Sequence, residues 1–513
     1  MIFKINKSLS LLAICFIMNV ITAQSQSTKA DSIRTLIVFF DGLRPDYITA
    51  EAMPNVYAFK KTGCYGKQHH SVFPTVTRVN ATSYSTGSYP AMHGIMGNTV
   101  YFSKVNAKKG LNTGDAAELN KINQATDGHL LTAVSIGEIM QQAGKKMMVF
   151  SSGSTGSALL QNHTISSGAI INPEMILPES FKAKVINEIG PIPANGKTKT
   201  PQHIWITDAL IKYALKLDGP LVSSIWFTDP DHTAHSDGIG SPTAMASIKI
   251  VDEQFGRIID ALGKKGLTQY FNIIISADHG FVTHAGTEGL TEFLIKEGLK
   301  KDKESDEIII ADGALYVKDH DVNLIQKTVT ALQKQEWAGA IFTKSDKPGN
   351  MKGFIKGTLS FESIHWNHLE RSADILVDAN WDDRKNNAGY EGASYNRGVA
   401  GHGSLSPYEV HIPLLASGPS FKQSYESELP TSNVDIVPTV LHIHHLPVPT
   451  SMDGRVMTEL LAERSNTPIV KVKKEIIETL AKYDGGTYNL ILERSVIGKY
   501  KYVNFSKIIR TSK

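Results

Sequence analysis

Cysteine is nearly absent from this chain of 513 residues, which contains only Cys15 and Cys64. Cys15 lies in an N-terminal apolar segment that we expect to be cleaved off, so Cys64 is the only cysteine of the predicted mature protein. One cysteine cannot form an intrachain disulfide, which excludes a small secreted scaffold held together by disulfides. We expect Cys64 to be a small core residue or an inert thiol.

A large excess of either charge is also lacking, since the chain has 53 lysines and arginines, 50 aspartates and glutamates, and a net charge of +3. That balance gives no reason to expect a nucleic-acid polymer or an acidic surface as a partner. The composition is 41% hydrophobic, 8% aromatic and 20% charged, as in ordinary globular proteins. A chain of this length is sufficient for one large domain with insertions or for two domains.

An apolar run that is too short for a typical membrane span marks the N-terminus. Leu9–Ile21 is almost wholly apolar, it follows Lys4 and Lys7, and Thr22-Ala23-Gln24 offers small residues for cleavage. This pattern predicts a secretory signal peptide over residues 1–23, with a retained membrane anchor as the alternative. An exported protein without disulfides fits a bacterial periplasm, which is the location that we expect.

Apolar strand patterns alternate with helix patterns along most of the chain. The strand patterns are Ile33–Phe40, Met147–Ser151, Leu221–Phe227, Phe271–Ser276 and Ile412–Ala416. The helix patterns between them are Ala133–Ala143, His203–Lys216, Thr243–Gly263 and Val434–His442. Alternation of this kind predicts an α/β fold with a mostly parallel central sheet and helices on both of its faces.

Several segments interrupt this alternation and suggest a division of the chain. We predict a catalytic core over residues 24–284 and 401–465, with a polar excursion at 99–130. An inserted cap over 285–400 has its own strand and helix patterns at Ile308–Val317, Val322–Gln335 and Ala373–Ala379. A basic C-terminal extension, 466–513, ends in a strand pattern at Lys499–Ile509.

Acidic residues and histidines follow three of the predicted strands. Asp41 ends the first, Asp231 follows the third, and Asp278-His279 follows the fourth. Ligands of parallel sheets gather at the carboxyl ends of the strands. We therefore expect these side chains to lie close together, although any one of them alone would more often make a turn or a cap.

Histidines complete a set of residues that suits metal ions. Asp231 and His235 are four residues apart, so they share one face if the segment is helical, and His402 lies between two glycines. Mixed nitrogen and oxygen donors favour Zn²⁺, with Mn²⁺ or Fe as possible substitutes. Two such ions have a clear use in phosphoryl transfer, where they activate the nucleophile and stabilise the leaving oxygen.

The segment Val72–Asn98 places a hydroxyl at the start of a short helix pattern. Phe73-Pro74 predicts an extended entry, because proline pushes the preceding residue out of the helical region. Thr77 then begins a helix pattern that stops at Gly87. A hydroxyl there lies beside unpaired backbone N–H groups, where a phosphoryl group is readily held. Taken alone, Thr77 is either a helix cap or a nucleophile.

With these motifs in view, the chain resembles the alkaline phosphatase superfamily, and within it the nucleotide pyrophosphatase/phosphodiesterase (type I phosphodiesterase) family, from about Ile33 to Leu460. The matching motifs are Phe-Asp-Gly-Leu-Arg-Pro-Asp at Asp41, Phe-Pro-Thr-Val-Thr at Thr77, His-Gly-Ile-Met-Gly-Asn at Asn98, Asp-Pro-Asp-His-Thr-Ala-His at Asp231 and His235, Asp-His-Gly at Asp278, and Gly-His-Gly at His402. The resemblance implies an alkaline-phosphatase-like α/β sandwich. It also implies an exported hydrolase that uses two metal ions and a covalent phospho-threonine to cleave a small phosphorylated substrate.

The family's site roles carry over to the matching positions. The resemblance implies that Thr77 is the nucleophile and that Asn98 donates to a phosphoryl oxygen. Thr75 is the less favoured nucleophile, because it lies two residues before the matching position. One metal site is then formed by Asp231, His235 and His402, and the other by Asp41, Asp278, His279 and Thr77. A pseudoenzyme that only binds metal or an anion is the non-enzymatic alternative, but it would be expected to have lost one of these residues.

The residue after Thr77 departs from the family pattern and leaves the substrate open. Typical nucleotide-cleaving members have Thr-Phe-Pro-Asn-His, in which the phenylalanine stacks on a base, but this chain has Arg78. A guanidinium instead offers several donors to a second anionic group. We therefore keep phosphomonoesters and phosphonates, as in phosphonoacetate hydrolases, as alternative substrates; a structural or solvated Arg78 is the other interpretation. A sulfatase is unlike this chain, which lacks Cys-x-Pro-x-Arg.

Overall fold

The computed structural model describes residues 33–165, 167–194, 196–463 and 471–512, so the predicted signal peptide lies outside it. The β-strands are β1 (Arg34–Phe40), β2 (Cys64–His70), β3 (Thr99–Val100), β4 (Leu111–Asn112), β5 (Met147–Ser151), β6 (Ala169–Asn172), β7 (Met175–Leu177), β8 (Val222–Phe227), β9 (Phe271–Ser276), β10 (Val282–His284), β11 (Ile308–Ala311), β12 (Ala314–Val317), β13 (Ala338–Thr343), β14 (Leu359–Ser360), β15 (Ile375–Ala379), β16 (Trp381–Lys385), β17 (Glu391–Ser394), β18 (Ala400–Gly401), β19 (His411–Ser417), β20 (Tyr425–Ser432), β21 (Val472–Tyr483), β22 (Gly486–Ile497) and β23 (Tyr500–Ser512).

The α-helices are α1 (Pro54–Thr62), α2 (Thr77–Thr86), α3 (Pro90–His93), α4 (Ala116–Ala125), α5 (Ile136–Gln142), α6 (Thr155–Gln161), α7 (Lys182–Ile189), α8 (Thr200–Tyr213), α9 (Asp231–Asp237), α10 (Pro242–Lys264), α11 (Leu290–Lys296), α12 (Val322–Gln333), α13 (Pro407–Val410) and α14 (Ile436–Ile443). Helix α5 begins later than the pattern Ala133–Ala143 predicts, because Ser135 and Glu138 form a capping box there. Such a box supplies partners to the unpaired N–H groups of the first turn and sets the start of the helix.

The central sheet has nine strands in the described part of the chain, in the order β20-β2-β19-β9-β1-β8-β5-β6-β7. Strand β1 is parallel to both of its neighbours, β8 and β9. Strand β19, which contains the predicted Ile412–Ala416, is antiparallel to β9 and β2. The sheet is therefore mostly parallel, as predicted, and its central strands end on the same edge.

Both faces of this sheet are covered by apolar packing. Ile37 and Phe39 of β1 belong to one buried cluster together with side chains of α2 and α6. Leu36, Val38 and Phe40 belong to the other, with side chains of α1, α8 and α10. Alternate residues of a strand point to opposite faces, so the unbroken apolar run of β1 is explained by helices on both sides. Burial of each such side chain contributes about 1.5–3 kcal/mol.

A separate sheet occupies the predicted insertion, with strand order β11-β12-β15-β13-β14. The predicted single pattern Ile308–Val317 is two antiparallel strands joined by a turn at Asp312-Gly313. Strands β10 and β18 pair where the insertion leaves and rejoins the chain, with Val282 opposite Gly401. This pairing fixes the two ends of the insertion side by side; the division into core and cap at 285–400 stays a prediction.

The C-terminal strands β21, β22 and β23 form an antiparallel meander that contacts both larger sheets. Tyr502 donates a hydrogen bond to Asp435 in the core at 2.9 Å, and Tyr488 donates one to the carbonyl of Gly339 in the insertion at 2.8 Å. The extension therefore links the insertion to the core. Among the described residues, no helix is both long and apolar enough to cross a membrane.

Candidate active site

Thr77 lies at the start of α2 without capping it. Val76 is the N-cap residue, has an extended backbone, and makes no side-chain capping bond. The Thr77 hydroxyl is instead 3.3 Å from Nε2 of His279, and the residue is only 5% exposed. The capping alternative for Thr77 is therefore wrong, because its hydroxyl points at the predicted metal ligands.

Asp41 and Asp278 are brought together by the pairing of β1 with β9. Asp41 follows β1 directly, Asp278 follows β9, and the two strands are parallel neighbours. Trp226 Nε1 donates to Oδ2 of Asp41 at 2.9 Å, and the backbone N–H of Gly42 donates to Oδ1 of Asp278 at 3.0 Å. Each carboxylate is thus held by one oxygen, which leaves the other oxygen facing the site.

Helix α9 presents Asp231 and His235 on the same face, as their spacing predicts. Oδ1 of Asp231 is 3.2 Å from Nε2 of His235 and 3.3 Å from Nε2 of His402. His402 reaches this position from the loop after β18, and its ring stacks on that of His279 with centroids 3.4 Å apart. Residues from five separate parts of the chain, those around Asp41, Thr77, Asp231, His279 and His402, therefore converge at one place.

Two groups of donor atoms within this cluster have the spacing of metal ligands. One contains Asp231, His279 and His402, and the other contains Asp41, Asp278 and His279, with the donor atoms of each group within 4.8 Å of one another. His279 belongs to both, so the two groups adjoin. His235 contacts the first group through Asp231.

The donor set fits divalent cations. Three buried carboxylate oxygens, Oδ1 of Asp41, Oδ1 of Asp231 and Oδ2 of Asp278, have no hydrogen-bond partner. Burial, reinforced by the carboxylates of Asp278 and Asp231, raises the pKa of Asp41 well above its usual value. Carboxylates this close and this buried are stable as anions only when positive charge lies between them.

The three imidazoles are oriented by backbone carbonyls. Nδ1 of each ring donates to a carbonyl oxygen, in the pairs His235 to Ala400 (3.0 Å), His279 to Gly280 (2.9 Å) and His402 to Thr75 (2.8 Å). A proton on Nδ1 leaves the lone pair on Nε2, the nitrogen that faces the carboxylates. The tautomer of each ring is therefore the one that suits a metal ligand.

Asn98 and Arg78 lie beside the nucleophile. Oδ1 of Asn98 accepts from the backbone N–H of Arg78 at 3.1 Å, so its amide NH₂ is the group left to donate to a ligand. Nε of Arg78 is buried and has no hydrogen-bond partner. Burial lowers the pKa of Arg78, and the carboxylates of Asp41 and Asp231 oppose that shift. The guanidinium therefore lies near the carboxylates of the two donor groups.

Sequence reasoning missed the residues that support the ligands. Trp226 lies in an apolar strand pattern and is fully buried, but it also orients Asp41. Thr75 does not face the site, because its hydroxyl donates to the carbonyl of Ser404 at 2.7 Å. Buried Glu409 accepts from the N–H of Ser404 at 2.6 Å and from Thr75 at 3.2 Å. This network fixes the loop that carries His402. No local sequence motif predicts these contacts.

Within the described part of the chain, no histidine other than His279 and His402 belongs to the two donor groups. His69, for example, bonds to Thr431 at 2.7 Å and lies 3.2 Å from Oδ1 of Asn433. His93 accepts from the N–H of Ile95 at 3.1 Å. That bond fixes the turn leading to Asn98.

The chain is similar to a known protein family and to curated members of it. The family model for type I phosphodiesterase / nucleotide pyrophosphatase matches residues 35–395. Human ectonucleotide pyrophosphatase/phosphodiesterase family member 5 is 23% identical over 423 residues, which cover 81% of this chain and 75% of that protein. Bis(5'-adenosyl)-triphosphatase ENPP4 of Bos taurus is 23% identical over 427 residues, which cover 82% and 80%.

Two solved structures are similar in fold. Murine ectonucleotide pyrophosphatase/phosphodiesterase 5 is 21% identical with a TM-score of 0.60, covering 84% of this chain and 100% of that one. Alkaline phosphatase PafA is 17% identical with a TM-score of 0.61, covering 83% and 98%. The predicted alkaline-phosphatase-like architecture is confirmed. The chain belongs to the type I phosphodiesterase / nucleotide pyrophosphatase family of the alkaline phosphatase superfamily and is a metal-dependent phosphoric ester hydrolase.

Proposed function

We propose that this protein is an exported hydrolase that cleaves phosphodiester or pyrophosphate bonds of small substrates through a covalent phospho-threonine on Thr77. The observation that carries the proposal is the position of the Thr77 hydroxyl, 3.3 Å from His279, the residue shared by both donor groups. Export rests on the N-terminal sequence pattern, and the human relative is named an ectoenzyme.

Two divalent ions, which we expect to be Zn²⁺, would be held by the two predicted sets of ligands. One set is Asp231, His235 and His402, and the other is Asp41, Asp278, His279 and Thr77. When bound, such ions supply Lewis acidity, which lowers the pKa of a hydroxyl and neutralises charge on phosphoryl oxygens.

The chain's own groups position the reacting atoms. The Thr77 hydroxyl loses its proton to solvent and Oγ1 attacks phosphorus. The bond from Oγ1 to phosphorus forms, and the bond from phosphorus to the departing alcohol or phosphate oxygen breaks. The Asn98 amide donates to a phosphoryl oxygen, which stabilises the negative charge that grows there. The start of α2 adds backbone N–H groups of the kind that bind phosphate. Water then cleaves the phospho-threonine and frees the hydroxyl.

Relatives support nucleotides as substrates, and Arg78 supports a second possibility. An inactive form of murine ectonucleotide pyrophosphatase/phosphodiesterase 5 has a solved complex with AMP, and ENPP4 is named a bis(5'-adenosyl)-triphosphatase. In this chain the positive charge of Arg78 beside the site favours a substrate with additional negative charge near phosphorus, such as a phosphomonoester or a phosphonate.

Removal of metal tests the proposed activity. Dialysis against a chelator is expected to lower turnover of both a chromogenic monoester and a chromogenic diester at least about 10³-fold, because the ions activate the nucleophile and stabilise the leaving oxygen. Metal analysis before and after dialysis measures the loss, and adding Zn²⁺ should restore activity. Full turnover by the metal-free protein would contradict the two-metal mechanism.

Replacing Arg78 with alanine tests the second possibility. We expect kcat/KM for a phosphomonoester to fall about thirtyfold, the equivalent of about 2 kcal/mol for a hydrogen bond to a charged group. Turnover of a diester, which lacks the second negative charge, should fall much less. Arg78→Lys is the matched control, because it keeps the charge and loses the planar set of donors. An unchanged ratio of monoester to diester turnover would exclude Arg78 as an anion-binding group.

A further inference from the structure

A cavity of about 400 Å³ lies between the candidate active site and the sheet of the insertion. On the active-site side it reaches Asn98, His235 and His402, and on the other side it is bounded by residues 311–314 and 376–379. It therefore borders the half of the site that holds His235 and His402. This volume is within the range of cavities that bind small organic ligands.

The walls of the cavity combine apolar surface with hydrogen-bonding groups. Phe73, Trp337 and Leu376 contribute large apolar side chains. Nε1 of Trp337 is buried and has no hydrogen-bond partner. This donor is enclosed by protein, so the wall offers a ligand chiefly the apolar surface of these side chains, which suits an organic group.

The charged residues of the walls are acidic. Glu288, Asp312 and Asp378 line the cavity, and neither lysine nor arginine is found among the described residues that line it. Asp312 accepts from the N–H of Thr99 at 2.7 Å, and Asp378 accepts from the N–H of Leu405 at 2.8 Å. Both carboxyl groups are thus fixed in place. Burial raises the pKa of each, most strongly for Asp378, and the guanidinium of Arg78 opposes that rise at Asp312. The negative charge that an anion entering the cavity would meet therefore comes mainly from Glu288 and Asp312.

We infer that this cavity receives the alcohol half that departs from a phosphodiester, and that it selects a cationic or uncharged alcohol over an anionic one. The inference rests on the proposed function. In the reaction, the bond from Thr77 Oγ1 to phosphorus forms, the bond from phosphorus to the alcohol oxygen breaks, and the alcohol leaves after taking up a proton. Arg78 does not line the cavity, so anion binding at Arg78 and cation selection in the cavity concern different parts of the substrate.

A series of methyl aryl phosphodiesters tests the inference. The aryl leaving group carries a para-trimethylammonium, a para-methyl or a para-sulfonate group, and kcat/KM is measured for each with the metal-loaded protein. We expect the cationic ester to exceed the anionic one about tenfold or more after correction for the leaving-group pKa, because like charges repel and opposite charges attract across the cavity.

Variants that each remove one negative charge show which carboxylates cause the preference for the cationic ester. Glu288→Gln, at the exposed rim, and Asp312→Asn should each lower the cation-to-anion ratio at least about threefold. The matched control is Glu304→Gln, an exposed carboxylate of the insertion that pairs with Lys109, and it should leave the ratio unchanged. Equal turnover of cationic and anionic esters by the wild-type protein would overturn the inference while the proposed function stands. Absence of turnover for every ester of the series would overturn both.

Discussion

Replacing Thr77 with alanine is expected to abolish ester hydrolysis, with kcat falling by at least about 10⁴-fold, as for other enzymes that lose a nucleophile. The reason is that its hydroxyl is the one hydroxyl shown in contact with the shared ligand His279. Thr77 is not the cap of its helix. Loss of the hydroxyl should therefore change the free energy of unfolding by no more than about 1 kcal/mol.

The measurement combines steady-state kinetics, metal analysis and acid quenching of the protein during turnover of a labelled substrate. Wild-type protein should retain label on Thr77, and Thr77→Ala should bind metal normally without retaining label. Thr77→Ser is the matched control, because it preserves a hydroxyl at the same position and is expected to keep part of the activity. Turnover by Thr77→Ala within tenfold of wild type would rule out the phospho-threonine mechanism.

The arrangement of this site follows from features that a sequence displays locally. Asp41 and Asp278 each follow a strand of continuous apolar residues, and such strands are buried and parallel in α/β proteins. Their carboxyl ends must meet at one edge of the sheet. The spacing of Asp231 and His235 likewise places both on one face of a helix without any knowledge of the rest of the chain.

The supporting contacts are different, because they join residues that are distant in the chain. Trp226 has the pattern of a core residue, and only the pairing of β1 with β8 shows that its indole N–H reaches Asp41. Glu409 and Thr75 are 334 positions apart, and neither belongs to a motif. Local patterns describe periodicity and turns, so they carry no information about which side chains meet across such separations.

The cavity beside the site depends on the same kind of long-range packing. Its far wall comes from the insertion, whose pattern Ile308–Val317 predicts a single strand. The structure instead has a turn at Asp312, with φ of +54°, which places this carboxylate in the wall. Aspartate is one of the few residues besides glycine that adopt this left-handed region, and here its side chain accepts from the N–H of Thr99, which is distant in the chain. The sequence pattern predicts β-structure over this segment, but it predicts neither the turn at Asp312 nor the cavity wall that the turn forms.

Replacing Asp231 with asparagine is the second change with a large expected effect. Its Oδ1 lies within 3.3 Å of Nε2 of both His235 and His402, and no hydrogen bond satisfies it. Burial opposes ionisation of Asp231, but the imidazoles of His235 and His402 hold its pKa well below its usual value. The residue is therefore the anion around which this half of the site is arranged, and an amide of the same size cannot replace its charge.

We expect Asp231→Asn to bind about one metal ion fewer per chain and to lose about 10³-fold in kcat, which corresponds to about 4 kcal/mol of transition-state stabilisation. Metal analysis and diester kinetics measure the two effects. Asp237→Asn is the matched control, since Asp237 is an exposed carboxylate at the end of the same helix, and it should behave like wild type. Asp231→Asn protein with the full metal content and normal turnover would show that the half of the site formed by His235 and His402 does not hold a catalytic ion. The Thr77→Ala result would then have to be explained by the other half alone.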